Sequence, residues 1–485
     1  MKNLMKDLKI VCASFYTFKI TFSFFFFCMC ILFTIHVEAM EMKAGTAKAV
    51  ITPTDYKSYV LTGSGRVPDG VNKDIFARVL VLNDGVNRLV TVTYDLNCLD
   101  VATPILRKRC KDELGLEPSH LILLATHNHN GPIQIVPGNF PYGRWLAGRL
   151  LDLIKEAIAN ELGPVQVFFG SGQGYFVRST GNAPTDYEIQ LLKVMRGNQV
   201  VAMLFNQPTH PTQLSSNNIG PGHPGFAMDE VERRIPGVLA MYADACGGNQ
   251  FPVPQGITDM AEYRKRMNEV TQALGRKLAE VVLKISEEPM QEVTGPISSK
   301  LEVISLPLAP PLSYEEALEL AKDIPLDIGF VPYPHPDRGT NWIRNLLKHY
   351  KEGIPFPTRT TDRICTDDGF LVRELDEPRE FECRYEEVIV AKIGPMPFVA
   401  MQGEVCAPIG MRIKDAFRLS MPIMVFGYMG EHNLYIPTRE IVRQDVYQSV
   451  VIKIQYASPC GWAPEVEDEM VNGVIRMIKS VLGEE

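Results

Sequence analysis

Residues 88–126 read RLVTVTYDLNCLDVATPILRKRCKDELGLEPSHLILLAT. Arg88–Tyr94 and Leu121–Thr126 are short apolar runs of the kind that form buried strands, and Thr103–Leu114 between them has the pattern of a helix. Strands alternating with helices predict an α/β protein, with mixed sheets and helices packed on them. The same alternation runs from Lys43 to about Arg196 and includes a second helix over Leu146–Asn160. Ile189–Phe205 predicts two strands joined as a hairpin at Arg196-Gly197-Asn198, which are turn residues. Met260–Ile285 predicts a long helix with one apolar stripe, and Tyr314–Lys322 a shorter one. Strands resume at Val388–Ile393 and Phe398–Met401, and Met470–Leu482 reads as a closing amphipathic helix. Between Pro325 and about Thr361 the prolines 325, 332, 334, 336, 355 and 357 predict a stretch without regular structure. Such an insert is either a domain boundary or a long functional loop.

The chain has 485 residues, 46% hydrophobic and 22% charged, which excludes a disordered, collagen-like or disulfide-knot protein. With 49 Lys+Arg against 57 Asp+Glu, it lacks the basic footprint of a nucleic-acid binder. Lys2, Lys6, Lys9 and Lys19 precede an uncharged, phenylalanine-rich run from Phe22 to Ile35, shorter than the roughly 20 apolar residues of a membrane span. Val37-Glu38-Ala39 then has the small residues of a signal-peptidase site. Residues 1–39 are therefore expected to be a signal peptide cut near Ala39, and the protein to be secreted or periplasmic. The alternative is an uncleaved N-terminal membrane anchor. Residues 40–485 are expected to form one large catalytic domain. The remaining cysteines, 98, 110, 246, 365, 383, 406 and 460, contain no CxxC pair. Only Cys365 and Cys383 are placed to staple the polar segment between them, and buried free thiols are expected elsewhere.

Three segments carry residues suited to chemistry. In Leu121–Pro132, LILLATHNHNGP, His127 and His129 follow an apolar strand. If the chain stays extended, residues i and i+2 face one way, so both imidazoles emerge together at a strand's C-terminal end. Sites on such sheets lie there. His210 follows another apolar strand in FNQPTHPT, and Glu404 closes a third in VAMQGE. A catalytic zinc takes about three His or carboxylate ligands and keeps a position open for water, and this set matches that need. A loop histidine hydrogen-bonded to backbone is the better account of His210 taken singly and an equal one of the His127/His129 pair.

The segments together resemble a known family. ATHNHNGP at 125–132 is similar to the ATHTHSGP signature of the neutral, non-lysosomal ceramidases, secreted zinc amidases that cut the N-acyl bond of ceramide. Others follow in the family's order. AKAVITP at 47–53, DIFARVLVL at 74–82 and Val90–Asp95 resemble its opening strands, FNQPTHPT at 205–212 its NFATHGT, and PGHPGFAMDEVERR at 221–234 its GDYPGYA segment. MQGE at 401–404 resembles its PGE, and GYMGEHNLYIPTRE at 427–440 its GY-x-N-x-x-x-Y-x-PT stretch.

The resemblance implies Zn2+ ligands at His127, His210, Glu404 and Tyr435, with His129 as a proton-transfer group. It implies oxyanion stabilisation by Arg178, in FVRS, and by Tyr447, with a surface salt bridge as the alternative role of Arg178 and a core position as that of Tyr447. It also implies a lipid-like or acylated small-molecule substrate and contact with a membrane periphery, on a chain with no room for the family's C-terminal immunoglobulin-like domain. Two segments depart from the pattern. The family's GDxSPN appears as Ala245-Cys246-Gly247-Gly248-Asn249-Gln250, with Gly248 where an aspartate is expected and no serine. His223 replaces the aspartate of GDYPG. An acylated sugar or another ester or amide is therefore an alternative substrate, and a non-catalytic lipid- or glycan-binding protein a further alternative. Activity is expected to fall below about pH 6, where protonation of ligand imidazoles releases metal. The insert, with Phe330, Tyr333, Trp342 and Tyr350, is a candidate wall or lid for an acyl chain, or else a surface linker.

Overall fold

Runs that are apolar on both faces need cover on both faces, and this requirement organises the molecule. The computed structural model describes residues 41–211, 217–253, 262, 265–331, 335–356, 362–366, 369–373, 383–431 and 434–484. The expected signal peptide therefore lies outside the described residues, as do the side chains of Cys365 and Cys383. Residues from Met42 onward form one unit.

Among the described residues, three larger sheets and four two-stranded ones occur in that unit. The first has the strand order Lys43–Val50, Phe76–Asn83, Arg88–Tyr94, Leu121–Ala125, and only its last pair is parallel. The second orders Leu239–Asp244, Gln199–Gln207, Glu188–Arg196, Gln166–Gln173 and Gln291–Glu292, with the first pair parallel. In the third, Ile297–Pro307, Cys383–Ile393 and Met396–Met401 run antiparallel, and Met424–Phe426 joins parallel to the last. Leu80, Ile122 and Leu124 of the first sheet, Val194, Leu204 and Met241 of the second, and Ile389, Phe398 and Phe426 of the third share one buried cluster. Helices cover the outer faces. Ala102–Leu114 and Phe140–Ala159 lie on the first sheet, Gly222–Arg234 and Met267–Glu287 on the second, and Ala407–Phe417 and Val466–Leu482 on the third.

Leu121–Ala125 illustrates why a plain apolar run is required. Leu121, Leu123 and Ala125 enter the cluster under the first-sheet helices, while Ile122 and Leu124 enter the cluster shared with the other sheets. The hairpin expected at 196–198 is present, with Arg196 paired to Gln199. The predicted elements recur with ends shifted by a few residues; the helix read from Leu146 begins at Phe140.

The segment read as irregular requires correction. Pro336–Thr340 is a short 3-10 turn, and Asn341–Glu352 is an α-helix closed by Gly353 at φ 63. Its prolines bracket the helix and leave residues 337–354 free of them, so nothing blocks the backbone ladder. Trp342, Ile343, Leu346 and Leu347 pack with Ala317 and Ala321 at the helix Tyr314–Leu320. Trp342 is thus core and not the wall of a channel, and the Tyr350 hydroxyl donates to the Leu312 carbonyl within the same helical pair. Tyr333 lies outside the described residues.

Candidate metal centre

Each of the three larger sheets delivers one ligand at the C-terminal end of a strand. His127 follows Leu121–Ala125, His210 follows Gln199–Gln207, and Glu404 follows Met396–Met401. Their ligand atoms all lie within 4.8 Å of one another, and all three residues are buried. His210 Nε2 is 2.8 Å and His127 Nε2 3.2 Å from the same oxygen, Glu404 Oε2. Tyr435 pairs with Glu404 across a two-residue parallel bridge and places its hydroxyl 2.9 Å from His210 Nε2. The four residues implied as zinc ligands therefore meet at one point.

The chain is not extended through His127, as the sequence pattern suggested. His127 has φ 50, in the left-handed region, so the strand ends before it. Asn128 donates from Nδ2 to the carbonyls of Asp95 and Gly220, at 2.9 and 2.8 Å, and its Oδ1 accepts from Asn130 N, which holds the turn. His129 is nonetheless beside His127, with Nε2 atoms 3.1 Å apart. A local turn, rather than strand periodicity, brings the two rings together.

Further contacts set the tautomers. His210 Nδ1 lies 2.9 Å from the Gly247 carbonyl and donates its proton there, which leaves Nε2 as the lone-pair atom. Asn97 stands 3.0 Å from His127 Nδ1. A tautomer with a free His127 Nε2 carries its proton on Nδ1 and needs the amide oxygen there, an orientation reached by rotating the Asn97 amide by a half-turn. Tyr428 packs tilted against the His127 ring at 4.2 Å, and Phe251 tilted against His210 at 5.1 Å. Asn97, Gly247, Phe251 and Tyr428 have no signal as site residues in the sequence, because their roles arise from contacts across long chain separations. Gly247 and Tyr428 stood within family-like segments without a role of their own, and Tyr428, like His127, takes a positive φ, of 55.

Two imidazole lone pairs aimed at one carboxylate repel it unless a cation lies between them. Burial opposes ionisation of Glu404, but positive charge on His127 and His210, donating to it, holds its carboxyl well below the usual carboxylate range, and with neutral imidazoles that part falls to a cation. Burial first and Glu404 next push the Tyr435 hydroxyl well up, so it remains a donor. Two nitrogens, a carboxylate and a phenol oxygen, with the rear of one imidazole fixed by a carbonyl, fit a zinc ion. A small cavity lined by Asn97, Cys98, His127, Gly403, Glu404, Tyr428 and Glu431 adjoins this point.

The departures from the family pattern have steric meaning. A Cβ on Gly248 would stand 2.2 Å from the Glu404 carbonyl oxygen, and one on Gly247 2.4 Å from Thr209 N. No side chain fits at 248 in this arrangement, so the strand end carrying Glu404 sits directly against the glycine backbone. His223 is fully buried, with Nε2 3.3 Å from Gln207 Oε1, and is a core residue behind the second sheet.

The residues implied for the oxyanion are both exposed near this point. Arg178, on Val177–Ser179, pairs in register with Phe251, whose ring packs against His210. Among the described residues it has no ion-pair partner, so the surface salt bridge considered as its other role is not formed. Tyr447 packs edge-on to Tyr435 at 5.7 Å and is 52% exposed, which excludes a core role. A cleft of ≈ 210 Å³ lies nearby, lined by the apolar Pro184, Pro408, Ile441 and Val446 together with polar groups such as Thr180 and Glu440.

No family model and no curated protein matches the chain. Among solved structures it is similar to neutral ceramidase from Pseudomonas aeruginosa, with a TM-score of 0.68 and 16% identity over 92% of this chain and 75% of that one. It is also similar to a ceramidase complexed with C2, with a TM-score of 0.66 and 16% identity over 92% of this chain and 76% of that one. In both comparisons nearly the whole described unit is covered, so the protein has the fold of the neutral ceramidases.

Proposed function

We propose that this protein is an exported, zinc-dependent amidohydrolase that cleaves the N-acyl amide of ceramide-like lipids. The observation that carries the proposal is the meeting of His127, His210, Glu404 and Tyr435 at one buried point, one strand end from each sheet, in a chain with the ceramidase fold. A zinc ion in such a set supplies Lewis acidity and lets water act as a nucleophile at neutral pH.

The chain's own groups do the rest. Glu404 stays ionised and His210 keeps its proton on Nδ1, so the ligand atoms remain available. Arg178 and Tyr447 donate to the carbonyl oxygen as negative charge develops on it, each well-aimed donor contributing roughly 3 kcal/mol. His129, with Nε2 3.1 Å from the His127 ring, passes a proton to the leaving amine as the C–N bond breaks.

One observation favours a second reading. The segments with Gly248 and His223 depart from the family pattern, which favours a different acylated substrate, such as an acylated sugar, at the same centre. The two readings separate when purified protein is assayed for fatty acid released from short-chain ceramide and for acetate released from acetylated sugars, with His127→Ala as control. Ceramide hydrolysis lost in the control supports the first reading, and acetate release alone supports the second. Purified protein without near-stoichiometric zinc would exclude both.

A further inference from the structure

The loop Pro325–Val331, PLDIGFV, is pinned at both ends to the helix Asn341–Glu352. Arg344 Nε donates to the Pro325 carbonyl at 3.0 Å, Asn341 Nδ2 donates to the Val331 carbonyl at 2.7 Å, and Val331 N donates to Asn341 Oδ1 at 3.0 Å. Asn341 and Arg344 are themselves buried, so these bonds are shielded from water. Between the pins Leu326, Ile328 and Phe330 are 42, 46 and 68% exposed, and Gly329 turns the tip at φ 65. An unrestrained loop would fold such side chains inward. Here the anchors hold them in solvent, where they contribute nothing to the core.

The same helical pair is tied to the metal centre. Arg338 Nη2 donates to the Gln455 carbonyl at 2.5 Å, and the Tyr447 hydroxyl meets Gln455 Oε1 at 3.5 Å. Asn345 Nδ2 adds a bond to the Ala457 carbonyl at 3.3 Å. The apolar loop and the exposed Tyr447 therefore flank one shared support.

We propose that this loop is a lipid-insertion element, in which Leu326, Ile328 and Phe330 enter the acyl boundary of a zwitterionic bilayer and seat the Tyr447 side of the molecule on the surface. Three apolar side chains on a pinned tip offer on the order of 250 Å², well below the roughly 800 Å² per partner of a stable protein interface, whereas a bilayer accepts isolated apolar groups. With net charge −8 the chain has no attraction for an anionic surface, and Asp327 is the only charge in the loop. Insertion explains how a lipid substrate is drawn toward Tyr447 and in that respect rests on the proposed function, but docking itself needs no metal chemistry.

The test is co-sedimentation of the purified protein with phosphatidylcholine vesicles. Wild type and His127→Ala are expected to partition equally, and the triple variant Leu326→Ser, Ile328→Ser, Phe330→Ser at least about tenfold less, with an unchanged melting temperature. The triple variant should hydrolyse a water-soluble short-chain substrate at the wild-type rate, and a vesicle-embedded one about tenfold more slowly. Wild-type protein that ignores the vesicles, or a triple variant that partitions like wild type, overturns the proposal. So does salt-sensitive binding to phosphatidylserine vesicles alone, or a wild-type dimer that the triple variant abolishes. Vesicle binding by a wild-type protein inactive on every substrate would leave insertion standing and remove the amidase reading.

Discussion

Acidification is expected to expose His223 as a weak point of the fold. The side chain is fully buried, its Nδ1 has no hydrogen-bond partner among the described residues, and burial alone lowers its pKa to about 3. In the unfolded chain the imidazole titrates near 6.5. The sign follows from the depressed folded value: below about pH 6.5 the unfolded chain binds a proton that the folded state refuses, so the stability present above that pH is lost as pH falls toward 3. Between pH 7 and 5 the loss is about 2 kcal/mol, roughly a 25-fold rise in the unfolding equilibrium constant. Other groups titrate over the same range, so the measurement is a difference. Urea unfolding is followed at pH 7 and 5 for wild type and for His223→Phe, which keeps a ring of similar shape without the titrating nitrogens. The variant loses the hydrogen-bond partner of Gln207 at both pH values, an offset that cancels in the slope. Wild type should lose about 2 kcal/mol more than the variant on acidification. Equal losses would mean that His223 is hydrated or reaches a partner when protonated, and the account of its burial would be wrong.

The metal centre gives two further expectations. His127→Ala, His210→Ala and Glu404→Gln should each lose stoichiometric zinc by elemental analysis and lower kcat/KM at least about 100-fold, and chelation of the wild type should do the same reversibly. Arg178→Ala and Tyr447→Phe should lower kcat about 100-fold each while zinc content stays at the wild-type level, because neither holds the ion. Away from the ion, Lys414 is buried with its Nζ 2.6 Å from Asp186 and 2.8 Å from Glu188. Lys414→Met leaves buried Asp186 without its counter-charge and Glu188 with Arg418 alone at 3.7 Å, and should cost about 3–5 kcal/mol in urea unfolding. A smaller loss would show that water reaches the pair.

Legibility differed from element to element for identifiable reasons. Leu121–Ala125 and Gln199–Gln207 were readable because a strand covered on both faces must be apolar throughout, and that demand falls on consecutive residues. The helix Asn341–Glu352 is hidden in a proline-rich stretch, although every one of those prolines stands outside it. At the site, the pairing of His127 with His129 was expected for the wrong local reason, since a left-handed residue rather than an extended strand aligns the rings. Asn97, Gly247, Phe251 and Tyr428 were silent, because an amide, a glycine carbonyl and two aromatic rings are ordinary residues until folding sets them against an imidazole.

The sequence by itself determined the materials: alternating strands and helices, and histidines and a carboxylate placed where three apolar strands run out. Those are local properties, decided by side-chain chemistry and by periodicity over a few residues. Only the tertiary structure decided that the strand ends coincide. His210 and Glu404 are 194 residues apart in the chain yet 2.8 Å apart in space, a distance set by how three sheets pack around one shared core. The same packing leaves Arg178 and Tyr447 facing solvent near the candidate metal site and forces glycine at 248, because backbone contact between distant segments leaves no volume there for a side chain.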